Sequence, residues 1–422
     1  MHLTSAVLVA GIAAVGQVAA VPCSSVLPTS TSTGAPRPTA KVDLGPRPYY
    51  IVGAMDDGPL KEELAACADQ EMQHSDWSIG HRGGGTLFIP EHSAESNLAG
   101  ARMGAGILEC DVAFTSDLEL VCRHSQCDLH TTTNIVAIPE LNAKCSTPFT
   151  PASNGSAATA RCCTSDITAA EFKTLCAKMD GFNASATTPE AYLGGTPAWR
   201  TDMYATCGTV LTHKEHIALV DELGLKFTPE LKFPEVEMPF RGNYTQEMYA
   251  QQLIDEYKEA GIAPERVWPQ SFYYPDTVYW VQNEPEFGRQ AVYLDSAGDV
   301  PGGMPIAITF LDQLVEDGVP IIAPPTPYLV VSDNGTIVPS PYAQRANELG
   351  LDIIAWTLER SPPLAQVAAN GDYYYFTIQD AVRNDGDIYT LVDVLYRQIG
   401  IIGLFSDWSS TVTYYINCVG GV

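Results

Sequence analysis

The sequence predicts a (β/α)8 TIM barrel, on three observations. Eight short β-rich runs recur between residues 77 and 407, and most carry polar side chains at or near their ends. Stretches of helical periodicity separate them. The runs are apolar without strict alternation, as strands covered on both faces are. Eight strand–helix units of this kind close into a parallel barrel, and a chain of 422 residues can hold one with an insertion.

The runs lie at residues 77–81, 107–112, 226–232, 267–272, 291–295, 320–323, 352–357 and 401–407. The helix expected over 212–223 opens with Thr212 and Glu215 at capping-box spacing and presents Ile217, Val220 and Leu223 on one face. A similar pattern over 246–260 is ended by Gly261. Two stretches depart from the repeat. Residues 113–124 read as a hairpin turning through Thr115, Ser116, Asp117 and Leu118. Residues 125–211 are rich in Cys, Thr and Ala with weak periodicity, and are expected to pack over the catalytic face. Hairpin and insertion together span about 113–211.

Residues 7–18 are largely apolar, and Val18, Ala19 and Ala20 offer small side chains for cleavage, so 1–20 reads as a secretory signal. Residues 21–45 read as a Ser/Thr/Pro-rich leader and 46–422 as the barrel domain. No later stretch is long and apolar enough to cross a bilayer. The expected location is extracellular, where cysteines pair. Of the eleven cysteines, six lie from Cys122 through Cys176 without the CxxC spacing of a metal site, so they are expected to staple the insertion. The count is odd, and Cys110, inside a predicted buried strand, is the expected free thiol. Sequons at Asn154, Asn183, Asn243 and Asn334 suit an exported, glycosylated surface. The net charge of −27 repels nucleic acid and anionic membranes. An anionic substrate would need a bound cation or a local basic pair to reverse that field.

Chemistry concentrates at the strand ends, where a TIM barrel carries its active site. His81, Arg82, Gly83 and Gly84 close the first run, Glu109 and Asp111 the second, and Glu230 and Lys232 the third; His124 follows the hairpin. Residues two apart on a strand leave the same face. Three carboxylates at one mouth repel each other unless a cation neutralises them, and Mg2+ or Ca2+ takes oxygen ligands. Glu109, Asp111 and Glu230 are the expected ligands. His81 and His124 are expected to serve as acid and base. Arg82 and Lys232 supply charge for a phosphate, and the set suits attack on a phosphodiester.

In order and spacing, five motifs resemble those of the glycerophosphodiester phosphodiesterases. They are His81-Arg82-Gly83, Pro90-Glu91, Glu109-Cys110-Asp111-Val112, His124 with Thr131-Thr132, and Glu230-Leu231-Lys232. The family's pattern is HRG, PEN, E-x-D-V, HD with a following TT, and E-x-K. Gln270-Ser271-Phe272, Ala355-Trp356-Thr357 and Ser406-Asp407 are similar to its later strand ends, so the resemblance spans residues 77–410. The style resembles that of a secreted fungal branch, and the fold implied is similar to that of phospholipase-C-like phosphodiesterases. The resemblance implies the roles already given, with Trp356 facing the alcohol or choline end, where an aromatic face can hold a cation. It implies hydrolysis of glycerophosphodiesters such as glycerophosphocholine to glycerol phosphate and an alcohol. One histidine would act on a substrate hydroxyl, giving a cyclic phosphate that water then opens. Two neighbours depart from the pattern: His124-Ser125 stands for HD, and Pro90-Glu91-His92 for PEN.

Rival readings are a phospholipase D-like enzyme on lysolipids or sphingolipids, a glycoside hydrolase using paired carboxylates, and a non-catalytic wall or lipid-binding barrel. The expected partner is a small phosphodiester or a lysolipid. Glu91 is expected to orient His81 or Arg82. His213 and His216 read as a solvated helix start, and His92 and His130 as loop residues. The aromatic residues 373–376 either line the pocket or pack the barrel. Asp56, Asp57, Asp385 and Asp387 read as solvated loops.

Overall fold

Eight apolar runs do close into a parallel ring in the computed structural model, which describes residues 38–204 and 206–421. The strands are β1 (Ser75–Gly80), β2 (Ala105–Phe114), β3 (Leu120–Cys122), β4 (Lys226–Leu231), β5 (Gln270–Ser271), β6 (Val292–Leu294), β7 (Ile321–Ala323), β8 (Asp352–Leu358) and β9 (Gly403–Ser406). β3 is the return arm of the expected hairpin, antiparallel to β2. The other eight pair in parallel, each with the next stave in sequence, and β9 closes on β1. This is the (β/α)8 barrel the sequence predicts. The signal segment expected over 1–20 lies outside the described residues, as does much of the leader. Within the leader's last residues, Leu44 is buried and Asp43 N donates to Arg102 O at 2.8 Å.

The barrel interior is filled by branched and aromatic side chains, among them Ile79, Ile107, Val292, Ile321, Ile354 and Phe405. Outer helices pack on the staves through their apolar faces. The helix His213–Glu222 starts at Thr212, whose hydroxyl accepts from Glu215 N while Thr212 N donates to the Glu215 carboxylate. The helix Gln246–Glu259 stops ahead of Gly261, which takes a φ of +71°. Among the described residues, no helix is long and apolar enough to cross a membrane.

Several surface assignments are corrected by the packing. His213 and His216 are buried, and His213 Nδ1 hydrogen-bonds Glu256 Oε2 at 2.8 Å on the neighbouring helix. The carboxylate partner lies 43 residues away, so the local pattern did not reveal it. Asp385 and Asp387 are also buried: they accept from the backbone N–H of Leu364 and Arg383 and so cap the turns around them. Asp56 and Asp57 are exposed, as expected.

Cys110 is not free. It pairs with Cys122, because the β2–β3 hairpin brings the two strands together at that level with a Cα–Cα separation of 5.3 Å. Cys67–Cys418 ties the segment before β1 to the last helix, Ser409–Cys418. Cys127–Cys163, Cys145–Cys162 and Cys176–Cys207 staple the insertion. Cys23 lies outside the described residues. The insertion also has its own apolar cluster, including Leu129, Ile135, Phe172 and Tyr192. The sequon residues Asn154, Asn243 and Asn334 are exposed, and Asn183 is half-buried.

The helix Ala94–Arg102 packs directly against the turn after β1: a Cβ on Gly100 would lie 2.1 Å from Gly83 O. Gly100→Ala is therefore expected to cost about 1–3 kcal/mol of stability, measured by denaturant unfolding.

Candidate active site

The polar strand ends converge at one mouth of the barrel. β1 runs into a tight turn, His81–Gly83, in which Arg82 takes a φ of +52° and Gly83 of +104°. A Cβ on Gly83 would lie 2.6 Å from Ser96 Oγ, so this turn needs glycine both for its backbone angle and for space. The turn aims Arg82 N at Glu109 Oε2, at 2.8 Å, and sends the Arg82 guanidinium to Glu91 Oε2, also at 2.8 Å. Glu91 is thus a partner of Arg82 rather than of His81. His81 Nδ1 instead meets Asp407 Oδ1 at 2.5 Å, just beyond β9. An Nδ1–H donated to Asp407 leaves Nε2, 3.8 Å from Glu109, to exchange a proton.

Glu109 and Asp111 leave one face of β2, and the register places Asp111 beside Glu230 on β4. Glu109, Asp111 and Glu230 are all buried, and each offers an oxygen within 4.8 Å of the others. Glu109 Oε1 accepts from Gln270 Nε2 at 2.8 Å, and Glu230 pairs with Lys232 at 2.6 Å. Asp111 Oδ2 faces His92 Nε2 at 2.7 Å, while Asp111 Oδ1 is buried without a hydrogen-bond partner.

The electrostatics of this cluster are unbalanced. Burial, then Asp111 and Glu230, push the Glu109 carboxyl well above its usual range. Burial raises Glu230 to about 8, against the pull of Lys232 and with repulsion from Asp111 added. Burial would raise Asp111 too, but Lys232, His92 and His124 hold it well below the usual carboxylate range. Negative charge is in excess unless protons or a cation compensate it. The oxygen-only donors, their convergence and the orphaned Asp111 Oδ1 fit a hard divalent cation.

A cavity of about 220 Å³ opens on this cluster. His81, Arg82, Glu109, His124 and Glu230 form its polar side; Phe272, Leu294, Trp356, Tyr374 and Phe405 form the other. His124 follows β3 and is half-buried. Burial, then the charges of Arg82 and Lys232, hold its imidazole well below the usual histidine range. Burial also lowers His81, to about 4, against the opposing pull of Asp407. Trp356 Nε1 donates to Ala323 O at 2.8 Å, and its ring stacks near Tyr373 and meets Phe272 edge-on. A larger groove of about 490 Å³ lies on the outer helices among Lys214, Glu247 and Asp255, away from all these groups.

Residues 81–287 match the model of the Glycerophosphoryl diester phosphodiesterase family. The chain belongs to that family. A protein of Arthroderma benhamiae, named as an extracellular protein, is 51% identical over 242 residues, covering 57% of this chain and 99% of that protein. A solved structure from Silicibacter pomeroyi DSS-3, named for the same family, shares the fold at 16% identity, covering 84% of this chain and 97% of that one, with a TM-score of 0.50. A phosphodiesterase of Oleispira antarctica, solved in complex with the product sn-glycerol-3-phosphate, is 18% identical, covering 80% of this chain and 96% of that one, with a TM-score of 0.48.

This phosphodiesterase surrounds its mouth with residues that sequence reasoning did not single out. His92, expected as a loop residue, is buried against Asp111. Its only local signal is its place beside Glu91, where the family pattern has Asn. Asp407 was visible as a strand end, but its bond to His81 spans 326 residues. Arg360 Nη1 donates to Asp407 Oδ2 at 2.9 Å, and Arg200, from the insertion, approaches Glu91 at 3.4 Å. Neither arginine carries a motif. Tyr374 is the member of the aromatic run 373–376 that reaches the cavity, whereas Tyr375 is buried in the core and Phe376 is exposed.

Asp407→Asn replaces the acceptor that orients His81 with a group that can also donate. Hydrolysis of a phosphodiester is expected to slow about 10–100-fold, read as kcat in a steady-state assay with a melting curve taken on the same sample.

Proposed function

We propose that the enzyme hydrolyses glycerophosphodiesters such as glycerophosphocholine, releasing glycerol phosphate and an alcohol. The observation that carries the reading is one cavity lined by two imidazoles, Arg82 and two carboxylates of the Glu109–Asp111–Glu230 cluster, with Lys232 paired to Glu230 behind them. His81 and His124 are the acid/base pair. Arg82 and Lys232 grip the phosphate, Trp356 faces the alcohol or choline end, and Glu91 holds Arg82 in place. Glu109, Asp111 and Glu230 would hold one divalent cation, Mg2+ or Ca2+. Such an ion polarises a phosphoryl oxygen and neutralises charge there.

In this reading one imidazole takes the proton of a substrate hydroxyl as its oxygen attacks phosphorus, and the other protonates the departing alcohol oxygen. The product of that step is a cyclic phosphate. Water then opens the ring, with the two histidines exchanging roles, and glycerol phosphate leaves. The buried donors around the cavity are fixed by the barrel before substrate arrives, so little reorganisation is needed as charge develops.

We also propose export and glycosylation. The apolar segment at 7–18, five disulfides among the described residues and the exposed sequon residues Asn154, Asn243 and Asn334 support that reading. The division into a signal at 1–20, a leader at 21–45 and a barrel domain from 46 is part of the same proposal.

A second substrate reading has its own support. Phe272 and Trp356 form an apolar wall of the cavity, and Tyr373 and Phe376 continue it as exposed rings. That track suits a lysolipid chain.

Chelation is expected to abolish phosphodiesterase activity, and His81→Ala or His124→Ala to lower kcat by about 10²–10⁴-fold. Either variant at wild-type rate removes that histidine from the chemistry. Independently of turnover, millimolar Mg2+ or Ca2+ should raise the melting temperature of the wild type and not of Asp111→Asn, since only a folded cluster binds the ion. Choline release from glycerophosphocholine, compared with release from lysophosphatidylcholine, separates the two substrates: a faster lysolipid rate rules for the apolar track.

A further inference from the structure

We propose that Arg200 is a positioning residue of the phosphodiesterase, delivered to the barrel mouth by the disulfide-closed segment of the insertion. The inference rests on the catalytic reading of His81 and Arg82 given above. The base of the segment is pinned twice, by the Cys176–Cys207 bridge and by pairing of Cys176 with Thr209 and Ala177 with Gly208. From there the chain reaches across to the barrel. Arg200 is 4% exposed, and its Nε donates to Thr86 O at 3.0 Å.

One Arg200 nitrogen, Nη2, lies 3.4 Å from Glu91 Oε2 and 3.9 Å from Asp407 Oδ2. Glu91 is the carboxylate that holds Arg82, and Asp407 the one that holds His81. A single guanidinium therefore links the supports of two residues that face the substrate. Arg360 makes parallel contacts, 3.5 Å to Glu91 and 2.9 Å to Asp407. Asp180, from the same disulfide-closed segment, completes the ring at 3.7 Å from Arg200 and 3.8 Å from Arg360.

A planar guanidinium fixes the separation of two carboxylates in a way that an ammonium on a flexible stem does not. Without Arg200, two buried like charges lose a shared counter-ion and drift apart, and His81 and Arg82 follow them. Arg200 stands outside the cavity wall, so its effect is exerted through Glu91 and Asp407. The segment closed by Cys176–Cys207 thereby supports the groups at the barrel mouth, while among the described residues the rest of the insertion forms no ion pair with them.

The test measures kcat, KM and melting temperature for glycerophosphocholine hydrolysis, with divalent cation present, in the wild type and in R200A, R200K, H81A and K144A. Lys144 is an exposed insertion residue paired with Glu171, and K144A should match the wild type. R200A is expected to lose about 10–100-fold in kcat with KM little changed. Millimolar guanidinium should restore part of that loss in R200A and do nothing for K144A. R200K should lose about tenfold at an unchanged melting temperature, and it serves if R200A does not fold. Wild-type kcat in R200A or R200K overturns the inference, as does a loss that guanidinium leaves untouched while the melting temperature falls in step. An H81A variant at wild-type rate overturns the catalytic reading and this inference together. An inactive H81A beside a fully active R200A overturns this inference alone.

Discussion

Five carboxylates, Glu91, Glu109, Asp111, Glu230 and Asp407, are buried at one end of this barrel, and the cost of removing them from water governs everything placed around them. The compensation is divided in two. Glu91 and Asp407 are enclosed by arginines: Arg82, Arg200 and Arg360 for the first, Arg200 and Arg360 with His81 for the second. Both carboxylates are held well below their usual range despite burial, so they stay ionised and act as fixed acceptors. Glu109, Asp111 and Glu230 have fewer cations. Lys232 pairs with Glu230, Arg82 meets Glu109 through its backbone N–H, and its Nε stands 3.8 Å from Asp111 Oδ2 while the guanidinium bonds Glu91. The deficit of positive charge is localised where a divalent ion would sit.

That division sorts orienting groups from candidate ligand groups. A carboxylate saturated by guanidinium contacts has little to offer a metal, whereas a carboxylate with an orphaned oxygen, such as Asp111, does. His92 fits the same logic, since it fixes one oxygen of Asp111 and leaves the other bare. The insertion also takes on a clearer meaning. It is a stapled unit with its own apolar cluster, and its basic side chain Arg200 enters the same charge balance.

The strands were legible because burial on both faces leaves an unbroken apolar run, and every expected run falls on a stave of the ring. The poorest match is β5. The run at 267–272 shrinks to Gln270–Ser271, and Pro269, which has no N–H to give a ladder, lies just ahead of it. Cys110 marks the converse limit: the apolar run around it signals burial, but its partner depends on the hairpin bringing Cys122 alongside. The convergence of His81, Glu109, Asp111, His124 and Glu230 was legible because each sits in or just beyond the later part of a predicted strand or hairpin, and barrel strands end at a common mouth.

By itself, then, the sequence determined the barrel and the identity of the side chains that ring its mouth. Periodicity of two puts Glu109 with Asp111, and Glu230 with Lys232, on common faces whatever the rest of the chain does. Only the tertiary structure decided who supports them. Asp407 reaches His81 because β9 closes on β1, and Glu256 reaches His213 because two helices pack side by side. Arg200 reaches Glu91 because a disulfide-closed segment packs against the chain that follows β1. Those partners are set by ring closure and packing between elements far apart in the chain, and local spacing carries no record of either.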